Sequence, residues 1–147
     1  MSPTTPPPTA ETDRSHRFPI RVYYEDTDAA GIVYHAQYLC FMERARTEFM
    51  RALGMDHSRL LEQHGCVFTV RRLTLDFVRP ARLDDLLEVV STVRQVAGAR
   101  LLIDQAVCRD GAVMAEAALQ LAIVGRELRP RRLPPELARV FDAWSVA

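Results

Sequence analysis

One long helical repeat among segments that otherwise alternate limits most strongly how this chain can fold. Over residues 35–53, Tyr38, Met42, Ala45, Phe49 and Leu53 recur at three- and four-residue spacings. Leu39, Phe41 and Met50 widen that apolar face, which predicts a helix wrapped on several sides rather than laid on a surface. At about 1.5 Å per residue such a helix spans about 30 Å, the diameter of a small domain. Gly54 follows Leu53 where a C-terminal glycine belongs.

The remaining apolar segments read as strands. Leu73, Leu75 and Phe77 point one way while Arg72, Thr74 and Asp76 point the other, and Pro80 closes the segment. Further strands are predicted over 86–96 and 101–108, the latter meeting the hairpin signal Asp110-Gly111. In the last, Val113, Ala115, Ala117, Leu119, Leu121 and Ile123 share one face, and small Ala115, Ala117 and Ala118 let a helix sit close. A first strand is predicted over 20–25, a short helical turn over 56–63, and a final helix over 136–141 behind Pro134-Pro135. The fold class that follows is α+β: a long central helix wrapped by a curved antiparallel sheet of about five strands. An exposed sheet edge favours a homodimer.

With 147 residues, 48% of them hydrophobic and 26% charged, the chain suits one globular domain. Its net charge is zero, so no global basic footprint marks it for nucleic acid, and all 19 basic residues are arginine. Residues 1–16, rich in proline, are expected to form a disordered tail without a signal peptide. The domain is expected over 17–142, with a short tail over 143–147. The apolar stretch 112–124 is broken by Glu116 and Gln120 and is too short to span a bilayer. Cys40, Cys66 and Cys108 form no C-x-x-C pair and read as small packed hydrophobes of a reducing, cytoplasmic protein.

Chemistry concentrates between Arg21 and Arg46. Glu25, Asp26 and Asp28 crowd three carboxylates together, Gly31 permits a tight turn or a close approach of backbone to a bound substrate, and the helix start near His35 aims free N–H groups back at that turn. An acid facing such a helix start suits cleavage of an activated carbonyl. Aspartate in a turn equally caps its own backbone, which is the bland reading of Asp28. Extension through Asp26 would place that carboxylate about 6.5 Å from Asp28 on the same face. His57 and His64 lack metal-ligand spacing, His16 falls in the tail, and no metal site is expected. Glu43 and Arg46, three apart, suit an ion pair on a solvated face as well as a functional pair, and Tyr23, Tyr24, Tyr34 and Tyr38 suit core.

The run Tyr24-Glu25-Asp26-Thr27-Asp28, then Gly31-Ile32-Val33-Tyr34-His35, Tyr38 and Glu43-Arg44-Ala45-Arg46, resembles the signature of hotdog-fold acyl-CoA thioesterases. These form the 4-hydroxybenzoyl-CoA thioesterase-like superfamily. Val70-Arg71-Arg72 and Pro80-Ala81-Arg82-Leu83-Asp84-Asp85 extend the likeness to its YbgC-like branch, associated with the Tol-Pal envelope system. The resemblance implies the hotdog fold, with Asp28 as nucleophile or general base and the His35 backbone amide holding the thioester carbonyl oxygen. Tyr34 and Tyr38, close to the turn, are candidates for lining an acyl channel. Arg71 and Arg72, with Arg79 and Arg82, become candidates for the phosphates of coenzyme A, as do Arg126, Arg129, Arg131 and Arg132. It implies dimers with active sites between subunits, which often pair into tetramers. Coenzyme A enters only as part of the substrate, no further cofactor is expected, and acyl carrier protein is a candidate partner, as is the inner face of the membrane. A hydratase or dehydratase on the same fold and a non-catalytic acyl-binding scaffold are the rival readings.

Overall fold

The computed structural model describes residues 14–146. In chain order they form β1 (Ser15–Arg21), a 3-10 turn (Tyr24–Asp26), α1 (Gln37–Ala52), α2 (His57–His64), β2 (Cys66–Phe77), β3 (Leu86–Ala97), β4 (Arg100–Arg109), β5 (Ala112–Gly125) and α3 (Pro135–Trp144). The five strands make one antiparallel sheet in the order β1-β3-β4-β5-β2, leaving β1 and β2 as edges. The β4–β5 hairpin turns at Asp110 and Gly111, both at positive φ (51° and 80°), the geometry that Asp-Gly favours. Among the described residues no helix is long and apolar enough to cross a membrane.

Helix α1 lies across the concave face and feeds two apolar clusters. Tyr38, Phe41, Met42 and Ala45 pack with Val22, Leu87, Val107 and Ala115. One turn further on, Phe49 and Met50 pack with Leu101, Ile103, Leu121 and Phe141. Each such large side chain, fully buried, contributes roughly 1.5–3 kcal/mol relative to exposure. The wide stripe does not encircle the helix: Leu39 and Cys40 are exposed, contrary to the expectation of wrapping on several sides and of a packed Cys40. Leu39 is 38% exposed, so the apolar face ends at the Tyr38–Met42 ridge.

Several boundaries differ from the sequence reading, each for a local reason. The first strand runs five residues earlier than expected and stops at Arg21. Ser15 and His16, expected in the tail, pair with Thr92 and Ser91 of β3. The rest of that expected tail, through residue 13, lies outside the described residues. Pro19 is tolerated because β1 is an edge strand. Helix α3 extends to Trp144, three residues past its expected end, so the expected C-terminal tail begins inside a helix. In β5, Val107 faces Ala115 but Cys108 faces Val113, so Met114 is an extra, bulged residue. Met114 is therefore buried at 1% exposure, whereas Val113, assigned to the inner face, is only partly buried. Ala118 points outward, leaving Ala115 and Ala117 to admit the helix.

Candidate active site

Between β1 and α1 the chain folds back on itself and is tied down at three places. Thr27 bridges Val33, and the Asp28 N–H donates to the Ile32 carbonyl (2.9 Å) while the Gly31 N–H donates to the Asp28 carbonyl (3.0 Å). Gly31 sits at φ 77°, a conformation that a side chain would strain. The loop is then pinned to the segment before β3: the Val33 N–H donates to the Ala81 carbonyl (2.8 Å), and the Ala81 N–H donates to the Tyr38 hydroxyl (3.1 Å). Burial pushes the Tyr38 phenol up, so it stays neutral.

Two aspartates two positions apart serve opposite purposes. Asp26 is 2% exposed. Its carboxylate accepts the Tyr23 N–H and the Gln37 side-chain amide, both at 2.8 Å, and its carbonyl accepts the Tyr34 N–H at 2.9 Å. It clamps the loop to the first residue of α1, and the 3-10 turn takes it off the strand face it was expected to share with Asp28. Asp28 is exposed. Its Oδ1 accepts the Ala30 N–H (2.8 Å), the turn bond that the bland reading foresaw, while Oδ2 meets no donor among the described residues. Turn geometry and an available carboxylate oxygen therefore coexist.

The expected helix start at His35 moves by two residues. His35 and Ala36 form a turn, closed by the Gln37 N–H donating to the Tyr34 carbonyl, and α1 begins at Gln37 with no side-chain cap at Ala36. The His35 N–H has no acceptor among the described residues. It projects at the positive end of a helix dipole that no acid in the first turn offsets. The imidazole lies against Tyr34 (centroids 4.5 Å apart) and edge-on to Phe77 (6.4 Å), which also meets Tyr38 edge-on (5.6 Å).

These groups line a cleft of about 400 Å³ formed by Asp28, Ile32, Val33, His35, Tyr38, Phe77, Val78, Arg79 and Pro80. Of the sequence candidates, Asp28, His35 and Tyr38 thus meet in one place, with Gly31 shaping the turn. Tyr34 stands behind His35 rather than in the wall and is half exposed. Tyr23 and Tyr24 are still more exposed, so only Tyr38 of the four tyrosines fills core. Arg71 and Arg72 do not line the cleft; they occupy an exposed stretch of the β2 edge where the strand bulges between Val70 and Arg72. Arg126 and Arg131 are turned to backbone carbonyls, of Leu61 and Gly65. In the sequence Phe77 reads as a strand residue and Asp26 as a neighbouring charge. Nothing in their spacing announced a wall and a clamp.

Glu43 and Arg46 do pair, with Glu43 on the solvated face as expected and the Arg46 guanidinium turned inward. Arg46 also donates to the Gln105 side-chain carbonyl (2.8 Å), and the Gln105 amide donates to the Met42 carbonyl (2.9 Å) and the Ser91 hydroxyl (3.0 Å). Gln105 is 1% exposed. Its place was legible, because the alternation Leu101, Ile103, Val107 puts position 105 on the buried face.

The profile of the thioesterase-like superfamily matches residues 22–141. The chain is 43% identical over 130 residues to the acyl-CoA thioesterase YbgC of Haemophilus influenzae, covering 88% of this chain and 96% of that protein. It is 39% identical over 127 residues to the acyl-CoA thioester hydrolase YbgC of Escherichia coli, covering 85% and 94%. Among solved structures, a probable thioesterase from Bartonella henselae superposes with a TM-score of 0.78 at 38% identity, covering 82% of this chain and 99% of that one. The curved five-stranded antiparallel sheet agrees with that kinship. The chain belongs, as a thioester hydrolase, to the thioesterase-like superfamily and to its YbgC-like branch.

Proposed function

We propose that the chain hydrolyses acyl-CoA thioesters to a carboxylic acid and free coenzyme A at the Asp28 cleft. The observation that carries this reading is that Asp28 and His35 line one cleft, and that an Asp28 carboxylate oxygen and the His35 N–H have no partners among the described residues. The thioester carbonyl oxygen accepts the His35 N–H, a donor whose value grows as negative charge collects on that oxygen. Asp28 Oδ2 attacks the carbonyl carbon or takes a proton from the water that does; the bond from Ala30 to Oδ1 holds the carboxylate plane in either case. The C–S bond breaks and the thiolate leaves, protonated by way of water; where Asp28 itself has attacked, a water then cleaves the acyl–Asp28 anhydride, and by either route the acyl group departs as a carboxylate. The His35 imidazole, set between Tyr34 and Phe77, orients water or closes the cleft.

No resident metal or prosthetic group enters this scheme. The free edge of β2 pairs with a second copy to complete the site, and Arg71 and Arg72 on that edge reach the phosphates of coenzyme A bound across the interface. A tetramer, or delivery of the acyl group by acyl carrier protein, is compatible with the same cleft. The free thiols of Cys40, Cys66 and Cys108 fit work in the reducing cytoplasm.

Thiol release from short, long and aromatic acyl-CoA substrates tests the proposal, with Asp28→Asn beside the parent protein. The parent is expected to turn over part of the panel, and the variant to lose roughly 10²–10⁴-fold in kcat with its unfolding transition unchanged. An undiminished rate in Asp28→Asn would refute the assignment. Turnover of acyl carrier protein conjugates alone would move the substrate class away from free coenzyme A thioesters.

A further inference from the structure

The Asp28 cleft holds a second charge. Arg79 lines it, yet its guanidinium has no hydrogen bond or ion pair among the described residues. By contrast Arg109 pairs with Asp85, Arg17 with Glu88, and Arg21 donates to the Asp84 carbonyl. Every other arginine that lacks a side-chain partner among the described residues is exposed; Arg79 alone is half-buried. Its backbone is fixed, since the Val78 and Arg79 N–H groups share the Met114 carbonyl (2.8 and 3.0 Å) and Pro80 follows. The walls around it, Ile32, Tyr38, Phe77 and Pro80, are mainly apolar. A partly desolvated cation without a direct ion pair gains when an anion arrives beside it.

The size of the cleft indicates which part of a thioester substrate carries that anion. A volume of about 400 Å³ corresponds to a space on the order of 10 Å across. More than a dozen bonds separate the sulfur of coenzyme A from its diphosphate, roughly 15 Å when extended. With the reacting carbonyl at Asp28, an anion in the same cleft therefore belongs to the acyl group. An acyl carboxylate entering alone would be repelled by Asp28, and the guanidinium offsets that repulsion.

We propose that Arg79 is a specificity residue that receives a carboxylate at the far end of a short acyl group, so that the cleft favours ω-carboxyacyl thioesters of the succinyl or glutaryl type over neutral ones of equal length. This rests on the reading of the Asp28 cleft as the hydrolytic site. The test compares kcat/KM for succinyl- and butyryl-CoA in the parent, Arg79→Gln and Arg79→Lys, and repeats it with the corresponding pantetheine thioesters, which lack the diphosphate. The succinyl-to-butyryl ratio is expected to favour succinyl in the parent and to fall about 10- to 100-fold in Arg79→Gln, chiefly through KM. The lysine variant should recover part of it, and pantetheine thioesters should show the same pattern. An unchanged ratio would overturn the proposal. So would an equal loss on both coenzyme A substrates that vanishes with pantetheine, which would assign Arg79 to the coenzyme phosphates. Calorimetric Kd values for succinyl-CoA and butyryl-CoA in Asp28→Asn, with and without Arg79→Gln, separate the two questions. If Asp28→Asn turns over normally, the catalytic reading fails while the Kd ratio still decides the role of Arg79.

Discussion

In the network of Gln105, Arg46, Glu43 and Ser91 each polar side chain meets a partner, whereas at the start of the helix an Asp28 carboxylate oxygen and the His35 N–H do not. Both clusters lie along α1, and both contain residues of the motif that resembles the thioesterase signature. Arg46, Glu43, Gln105, Ser91 and the Met42 carbonyl close a network that ties the middle of the helix to β3 and β4. Burial lowers the Arg46 guanidinium below its usual range and the neighbouring Glu43 carboxylate opposes that shift, as for a cation held inside for structural reasons. At the helix start, Asp26 satisfies the loop so completely that the Asp28 Oδ2 and the His35 N–H stay available. Motif membership alone does not separate the two clusters. Hydrogen-bond completeness does: the network around the buried Gln105 is closed by its own members, while the exposed Asp28 oxygen and His35 N–H are left to water or a ligand.

The largest change is expected from Gln105→Leu. It leaves the Arg46 guanidinium, the Ser91 hydroxyl and the Met42 carbonyl each short of a partner, and should lower stability by about 3 kcal/mol. Denaturant titration would show the shifted midpoint, while turnover per folded molecule stays near the parent value. A network with a chemical role would instead lose turnover. Asp26→Ala should cost about 2 kcal/mol by freeing the Tyr23 and Gln37 donors. Unlike the first variant it should also slow hydrolysis, because it loosens the turn that presents Asp28, and stability and kcat measured together would show both.

A third prediction concerns the far end of the helix. His16 stacks flat on Phe49 (5.0 Å, 1°), with an Nδ1 that is buried and meets no partner among the described residues. Burial lowers its folded pKa below 6.5, against the opposing pull of Glu48. The unfolded chain therefore binds this proton more readily. The contribution to stability is full above pH 6.5 and is lost as pH falls below that value. His16→Phe should flatten this part of the acid dependence in melts from pH 7.5 to 5, and an unchanged slope would contradict the assignment. The smallest effect belongs to His35→Ala. The amide survives the substitution, so kcat should fall by less than about tenfold, and a collapse comparable to that of Asp28→Asn would give the imidazole the larger part.

Much of the fold was legible because its signals are periodic. The apolar spacing from Tyr38 to Phe49 and the alternation in β5 follow from burying one face of a helix or strand, and Asp110-Gly111 announces its own turn. The site was legible at Asp28, Gly31 and His35 because the motif is local. What was missed depends on partners distant in sequence. Tyr23 and Tyr24 read as strand, but Asp26 captures the Tyr23 N–H and curls them outward. Met114 enters the core through a bulge that no glycine marks. Phe77 and Arg79 reach the cleft only because Ala81 is stitched to Val33 and Tyr38.

The most direct measurement sets Asp28→Asn and Gln105→Leu side by side, recording the rate of thiol release per folded molecule and the unfolding midpoint of each. The account predicts a crossed result: Asp28→Asn keeps the midpoint and loses the rate, while Gln105→Leu keeps the rate and loses the midpoint. Parallel losses in both variants, or an Asp28→Asn protein that still releases thiol at the parent rate, would contradict it.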